Sequence, residues 1–327
     1  MKKIVTFLMV AAMLFVLCAC NNTQTEVLEP TESTTTTPTE TTSNTDNNQK
    51  PSDEIDKVPL FNDPNFEDIV IGDTDTVTVT ITGLHLNDER GCVVDIIVKN
   101  KWGKAVKLFV PKISINGVLL ASSLYNGSSE DTVSDGKLEA FKTACYEIII
   151  NKDVLEKYNI TKFTDIELTA QVSDYALLTS GYRYLLEPTV THIYPYGEDN
   201  VEKFVYNAVD SDVVLLDNEF AKMIVTGINY DEEGNAFIDV FVFNKKDSEY
   251  TIATTDDIVN GCEMNTYFTE TLPNNAFMLA QIEIKNTNLK KFDIEKITNI
   301  KMNMYGGYGH AFEAVTHFRE PVELNFD

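Results

Sequence analysis

The chain carries one pattern twice, and this repeat limits the fold of its 327 residues more than any other feature. Ile81-Thr82-Gly83 returns as Val225-Thr226-Gly227, and Ile115-Asn116-Gly117 returns as Val259-Asn260-Gly261. Asp95-Ile96-Ile97-Val98-Lys99-Asn100-Lys101 returns as Asp239-Val240-Phe241-Val242-Phe243-Asn244-Lys245. Gly83 and Gly227, Asp95 and Asp239, and Gly117 and Gly261 are each 144 residues apart. Further on, the segment from Tyr158 to Ile166 matches Phe292 to Ile300, where the spacing has fallen to 134. A deletion of about ten residues in the second copy, near the counterpart of the 121–140 loop, accounts for the change. Glu187-Pro188 returns as Glu320-Pro321 near the end of each copy. Self-similarity held at one spacing is the mark of one structural module used twice.

Each module reads as β. Thr76-Val77-Thr78-Val79-Thr80-Ile81 alternates strictly, as a half-buried strand must when successive side chains face opposite ways. Val94, Ile96 and Val98 share one face of the next strand, and Ile238, Val240 and Val242 hold the same places in the second copy. Polar clusters such as Asn87-Asp88-Glu89-Arg90-Gly91 and Asp231-Glu232-Glu233-Gly234-Asn235 intervene. Asn116-Gly117 and Asn260-Gly261 suit tight hairpin turns, because both residues tolerate positive φ. Strands about ten residues apart with turns between them predict a β-sandwich. One short helix per copy is expected, at Lys152–Tyr158 and Asn288–Phe292.

The order of these motifs is similar to that of a known domain. Val98-Lys99-Asn100-Lys101, then Ile113-Ser114-Ile115-Asn116-Gly117-Val118, then Ile148-Ile149-Ile150 and Tyr158-Asn159-Ile160-Thr161-Lys162-Phe163-Thr164-Asp165-Ile166-Glu167-Leu168 resembles an uncharacterised immunoglobulin-like domain of lipoproteins and membrane-anchored proteins from clostridial Gram-positive bacteria. The resemblance covers about 70–198 and 214–327 and rests on strand ends and turns. It implies an all-β chain of two tandem immunoglobulin-like β-sandwich domains, 56–198 and 199–327, and carries no catalytic residues.

The N-terminus has the parts of an export signal. Lys2 and Lys3 precede an apolar run, Ile4 to Leu17, broken only by Thr6. The run suits a signal h-region and is short for a spanning helix, which needs about 20 apolar residues. Leu17-Cys18-Ala19-Cys20 fits a lipobox. Ala19 is small enough to precede the cut, whereas Leu17 is too large to precede a cut at Cys18, so Cys20 is the expected lipidation site and 1–19 the signal peptide. A diacylglyceryl cysteine would bury two acyl chains at ~0.8 kcal/mol per methylene, a stable anchor in the lipid bilayer. Residues 20–55, rich in Thr, Glu, Asn, Ser and Pro, have little to bury and read as a disordered tether with a reach of roughly 30 Å.

Acidic residues outnumber basic ones 51 to 26, for a formal charge of −25. That balance argues against nucleic acid, whose affinity comes from Lys and Arg neutralising phosphates. It suits solubility and mutual repulsion at a crowded surface. Beyond Cys18 and Cys20, three cysteines remain. Cys92, Trp102 and Cys145 invite comparison with the Cys–Trp–Cys pattern of antibody domains, which would make Cys92–Cys145 a disulfide. The second copy has Ala236 and Leu279 at the matching places, so all three are read as small buried hydrophobes.

The residues offer little chemistry. His85, His192, His310 and His317 form no zinc-ligand spacing, and no nucleophile elbow or phosphate loop is present. Gly306-Gly307-Tyr308-Gly309 reads as a loose turn. Asp95 and Asp239 share a strand position, read as solvated or strand-pairing, since one carboxylate is half of a glycosidase pair. Asp231 to Asn235 does not fit the twelve-residue calcium loop. The candidate ligand-binding residues are Tyr182, Arg183, Tyr184, Tyr305 and Tyr308, because Tyr and Arg bury much area yet keep a polar tip. Tyr194-Pro195-Tyr196 adds to the exposed aromatics. The expected function is non-catalytic: a lipid-anchored module on the outer face of the cytoplasmic membrane that binds an envelope protein or glycan, with no cofactor and no metal. The alternatives are a solute-binding lipoprotein of a transporter and, behind it, a cell-wall enzyme.

Overall fold

Among the described residues both copies build similar runs of strands, ten in the first and nine in the second. In the first, β1 (Ile69–Asp73), β2 (Val77–Asn87), β3 (Gly91–Asn100), β4 (Val106–Ile115), β5 (Val118–Leu120), β6 (Tyr125–Ser128), β7 (Lys137–Leu138) and β8 (Thr143–Asn151) lead into α1 (Lys152–Lys157), then β9 (Ile166–Asp174) and β10 (Tyr184–Ile193). In the second, β11 (Val213–Asp217), β12 (Ala221–Tyr230), β13 (Ala236–Asn244), β14 (Tyr250–Val259), β15 (Cys262–Glu263), β16 (Thr269–Leu272) and β17 (Phe277–Ile284) lead into α2 (Asn286–Lys291), then β18 (Asn299–Tyr308) and β19 (Phe318–Asn325). The computed structural model describes residues 60–87, 89–128, 136–178, 181, 183–308 and 316–326. The signal segment, Cys20, the tether, Tyr182 and His310 lie outside them.

The fold is all-β, with stacked sheets, antiparallel except for one parallel pair, in a sandwich architecture. A five-stranded sheet runs β1-β2-β3-β8-β6. A nine-stranded sheet runs β10-β9-β4-β5-β17-β13-β12-β11, with β7 on β4, and a third runs β15-β14-β18-β19, with β16 on β14. The alternation in the sequence sets which rows point inward. Val77, Val79 and Ile81 of β2 and Ile96 and Val98 of β3 meet Ile113, Ile115, Leu168 and Val172 from β4 and β9 in one apolar core. Ile238, Val240 and Val242 meet Ile252, Ile300, Met302 and Met304 in another. No helix among the described residues is long and apolar enough to cross a membrane.

The duplication persists in detail. Asn116 and Asn260 open both hairpins at φ 52° and 48°, followed by Gly117 at 82° and Gly261 at 83°. Each asparagine then braces the start of a later strand. Asn116 Oδ1 accepts from Thr164 N, Thr164 Oγ1 and Asp165 N, and Asn260 Oδ1 accepts from Thr298 N, Thr298 Oγ1 and Asn299 N. Asn100 and Asn244 are buried knots: Asn100 Nδ2 donates to the carbonyls of Lys104 and Glu139, and Asn244 Nδ2 to those of Ser248, Leu272 and Pro273. The lysine that follows each knot reaches the aspartate ending the first strand, Lys101 to Asp73 at 2.7 Å and Lys245 to Asp217.

The copies meet along one sheet. β5 pairs with β17 in parallel, Val118 opposite Phe277 and Leu120 opposite Leu279, and Ala121 N donates to Leu279 O at 2.8 Å. Ile224, Phe241 and Leu279 of the second copy join the first copy's core, and Leu119 and Ala121 of the first join the second's. Both copies lie within one compact unit, Ile55–Asp327.

Several sequence readings are corrected. Cys92 faces Ile150 across the β3–β8 ladder while Cys145 faces Ile97, so the two sulfurs sit five residues apart in register, about 17 Å at ~3.4 Å per residue. They also point to opposite faces: Cys92 is buried, Cys145 is exposed, and no bridge joins them. Cys262 is half-buried. Gly306, Gly307 and Tyr308 are the end of β18 rather than a loose turn. A Cβ at Gly306 would lie 2.7 Å from the Tyr250 ring and 2.8 Å from that of Phe318, so glycine is what lets these rings close over the strand. Asp239 is not solvated: it is 3% exposed, enclosed by Asn229 and Gln281 of its own copy and by Lys157 at the end of α1.

Candidate functional site

In β4 the register against β9 breaks between Phe109 and Lys112. In β14, its counterpart, the break against β18 moves to between Thr255 and Ile258. The extra residues of this bulge are Asp256, held at φ 55°, and Asp257. A bulge turns neighbouring side chains away from strict alternation, and here it separates two adjacent carboxylates. Asp256 accepts from Asn303 Nδ2 at 2.9 Å and from Arg319 at 2.5 Å; those bonds hold its pKa below the usual carboxylate range. Asp257 is 6% exposed. Its Oδ2 accepts from Thr266 N at 3.0 Å and Thr266 Oγ1 at 2.8 Å, while its Oδ1 is buried with no partner among the described residues. Burial pushes the Asp257 pKa up, against the pull of the Thr266 donors.

Asp257 forms part of the wall of a cleft of about 540 Å³, bounded by the β14 bulge, β15 and the end of α2. That volume lies within the roughly 300–1,000 Å³ common for ligand sites. Glu263 and Lys291 stand on its rim, and Met264, Ile258 and Phe292 supply apolar surface. Asn288 Nδ2 donates to Asn265 O at 3.3 Å, which ties α2 to the segment after β15. An ionised carboxylate only accepts hydrogen bonds, so a cleft edged by Asp257 and Glu263 is suited to ligands that bring donors or positive charge.

The described tyrosine and arginine candidates lie elsewhere, Arg183 and Tyr184 at the start of β10 and Tyr305 and Tyr308 on β18. Arg183 places its guanidinium 5.4 Å from the centre of the Trp102 ring, a cation–π contact, and Tyr184 opens β10 opposite Ser173. Tyr305 is half-buried in β18 between Ala253 and Arg319. Tyr308 is 47% exposed and meets Tyr250 edge-on and His317 at 4.4 Å between ring centres. The other polar candidates are engaged in structure. His85 bonds Asp95 at 2.6 Å, His192 bonds Asp165 at 2.8 Å, and Tyr194 stacks on His192. Asp231 closes its own turn by accepting from Asn235 N and Nδ2. Among the described residues no group of three or more His, Cys, Asp or Glu is placed to hold a metal ion.

The Asp256–Asp257 bulge was not singled out by motif, since a two-residue acidic run is common. The signal available was the difference between the copies: at the 144 spacing, Lys112, Ile113 and Leu119 become Asp256, Asp257 and Glu263. Comparison with protein-family models and with curated proteins gives no match.

Proposed function

We propose that this chain is a lipid-anchored envelope protein that works as a non-catalytic binding module, its ligand received at the cleft beside Asp257. The observation that carries the reading is a carboxylate oxygen buried in a cleft wall with no partner among the described residues, since a buried acceptor left unpaired costs about 1–3 kcal/mol unless a ligand or water completes it. The lipobox at Cys20, the Thr-rich stretch after it and the resemblance to an immunoglobulin-like domain of clostridial lipoproteins support placement on the outer face of the cytoplasmic membrane. Incorporation of labelled palmitate that disappears in Cys20→Ser would support the anchor, and labelling that persists would remove it. For binding, the full chain in detergent is used to recover ligands from envelope extract beside its Asp257→Asn variant. Recovery from the parent chain alone supports the cleft, and equal recovery by both moves the site elsewhere.

A second reading as a cell-wall enzyme draws on the neighbouring carboxylates, Asp256 with its pKa lowered and Asp257 with its pKa raised. Hydrolysis of wall material that Asp257→Asn abolishes would favour it. The transporter alternative expects two α/β lobes, and both copies described are built of antiparallel sheets instead.

A further inference from the structure

The junction between the copies is a worked example of what the cleft's counterpart accepts. In the first copy, the outer edge of β5 receives β17 as a parallel strand, Ala121 N donates to its Leu279 carbonyl, and Lys157 at the end of α1 reaches a side chain on the arriving sheet. The counterparts in the second copy are β15, Asn265 and Lys291. All three border the cleft, and among the described residues no strand pairs with the outer edge of β15. An unpaired edge is a template for a further strand, with main-chain hydrogen bonds holding it and side-chain pockets selecting it.

The second copy differs from the first in charge. Where the first has Lys112, Ile113 and Leu119, the second has Asp256, Asp257 and Glu263. Arg319 neutralises Asp256. Asp257 keeps an oxygen without a partner among the described residues, and Glu263 stands exposed on β15. Ile113 of the first copy's core and Leu119 of its junction have been replaced by carboxylates, on a chain of formal charge −25.

We infer that the cleft takes an extended polypeptide strand, added in parallel to β15 and carrying a lysine or arginine side chain toward Asp257 and Glu263. This rests on the binding-module reading and names the ligand class for the same cleft. An incoming carbonyl accepts from Asn265 N, as Leu279 O accepts from Ala121 N. The basic side chain passes Glu263 and supplies the donor that Asp257 Oδ1 lacks.

The test uses the full chain in detergent and labelled heptapeptides that alternate threonine and valine around a central lysine, arginine, glutamate or glutamine, read by fluorescence anisotropy. The lysine and arginine peptides are expected to bind at least about tenfold more tightly than the other two, the scale of one charged hydrogen bond. N-methylation of alternate backbone nitrogens is expected to abolish binding. Asp257→Asn and Glu263→Gln are each expected to weaken the lysine peptide several-fold. Glu263 is exposed, so its variant reports on binding even if Asp257→Asn disturbs the fold. Equal binding of basic and acidic peptides, indifference to N-methylation, or indifference to Glu263→Gln overturns the inference. So does failure of every peptide to bind while the chain still recovers an envelope ligand through Asp257, an outcome that leaves the binding-module reading standing. Recovery of no ligand by the parent chain in that envelope experiment would remove the broader reading instead.

Discussion

Asn100 and Asn244 are the residues on which the two copies agree most closely. Each side chain is buried and its amide donates to main-chain carbonyls of neighbouring segments. Replacing either by alanine strands several acceptors at once, so Asn100→Ala and Asn244→Ala are each expected to destabilise by about 2–3 kcal/mol in urea melts. Asn207→Ala, at an exposed position, should stay within about 0.5 kcal/mol. The cysteines make a second residue-scale check. Burial pushes the Cys92 thiol up to about 12, which suppresses the reactive thiolate, whereas Cys145 lies on the outer face of the same sheet. Iodoacetamide on the native chain should label Cys145 well before Cys92, and denaturant should erase the difference. Peptide mass spectrometry reads both, and comparable native labelling would contradict the β3–β8 register.

At the scale of elements, α1 and β13 decide how the copies join. Lys157 extends from α1 to Asp239, which also accepts from Gln281 Nε2 at 2.8 Å and from Asn229 Nδ2. Tyr158 OH lies 3.1 Å from Thr226 Oγ1 beside this pair. Lys157→Met leaves a buried carboxylate with neutral donors only, and a loss of about 3 kcal/mol is expected. Adding Asp239→Leu should restore most of it, because the isolated charge goes as well, and a double-mutant cycle by urea titration measures the coupling. The counterpart in the first copy is a useful contrast. Asp95 is 31% exposed at its side chain and paired with His85, so Asp95→Leu should change stability by less than about 1 kcal/mol. The same strand position thus carries a surface pair in one copy and an interior one in the other.

At the largest scale, the two copies form one compact unit, Ile55–Asp327. The surfaces that meet carry Leu119, Ala121, Ile224, Phe241 and Leu279. Their counterparts on the outward-facing ends are Glu263, Asn265, Thr80, Ile97 and Cys145, mostly polar or small, as solubility requires of terminal repeats. Burial raises the pKa of Tyr125 of the first copy, with a smaller push from Glu270 on β16, and burial pushes Glu270 itself up to about 7. A carboxyl whose folded pKa exceeds its unfolded value of about 4.3 binds its proton more tightly in the folded state. Its stabilising contribution is therefore complete below about pH 4 and lost as pH rises through about 7. Glu270→Gln should be the more stable chain at pH 8, and its advantage over the parent should shrink toward pH 5, as followed by Tm.

The repeat, the inward rows of β2, β3, β12 and β13, both Asn-Gly turns and both short helices were legible in the amino-acid order alone, because each follows from local periodicity or backbone preference. The helices fall at Lys152–Lys157 and Asn286–Lys291, within two residues of expectation. What the order of residues did not contain was which finished surfaces would touch. β5 is three residues long and β15 two, too short for any pattern to declare, yet one carries the parallel contact that joins the copies and the other borders the acidic cleft. Asp95 and Asp239 read alike along the chain, yet only Asp239 is buried, with Lys157 of the other copy reaching its carboxylate. Local signals act through neighbours in sequence and survive in each copy. Burial, partners and clefts are set by residues brought together from far apart, and so belong to the tertiary structure.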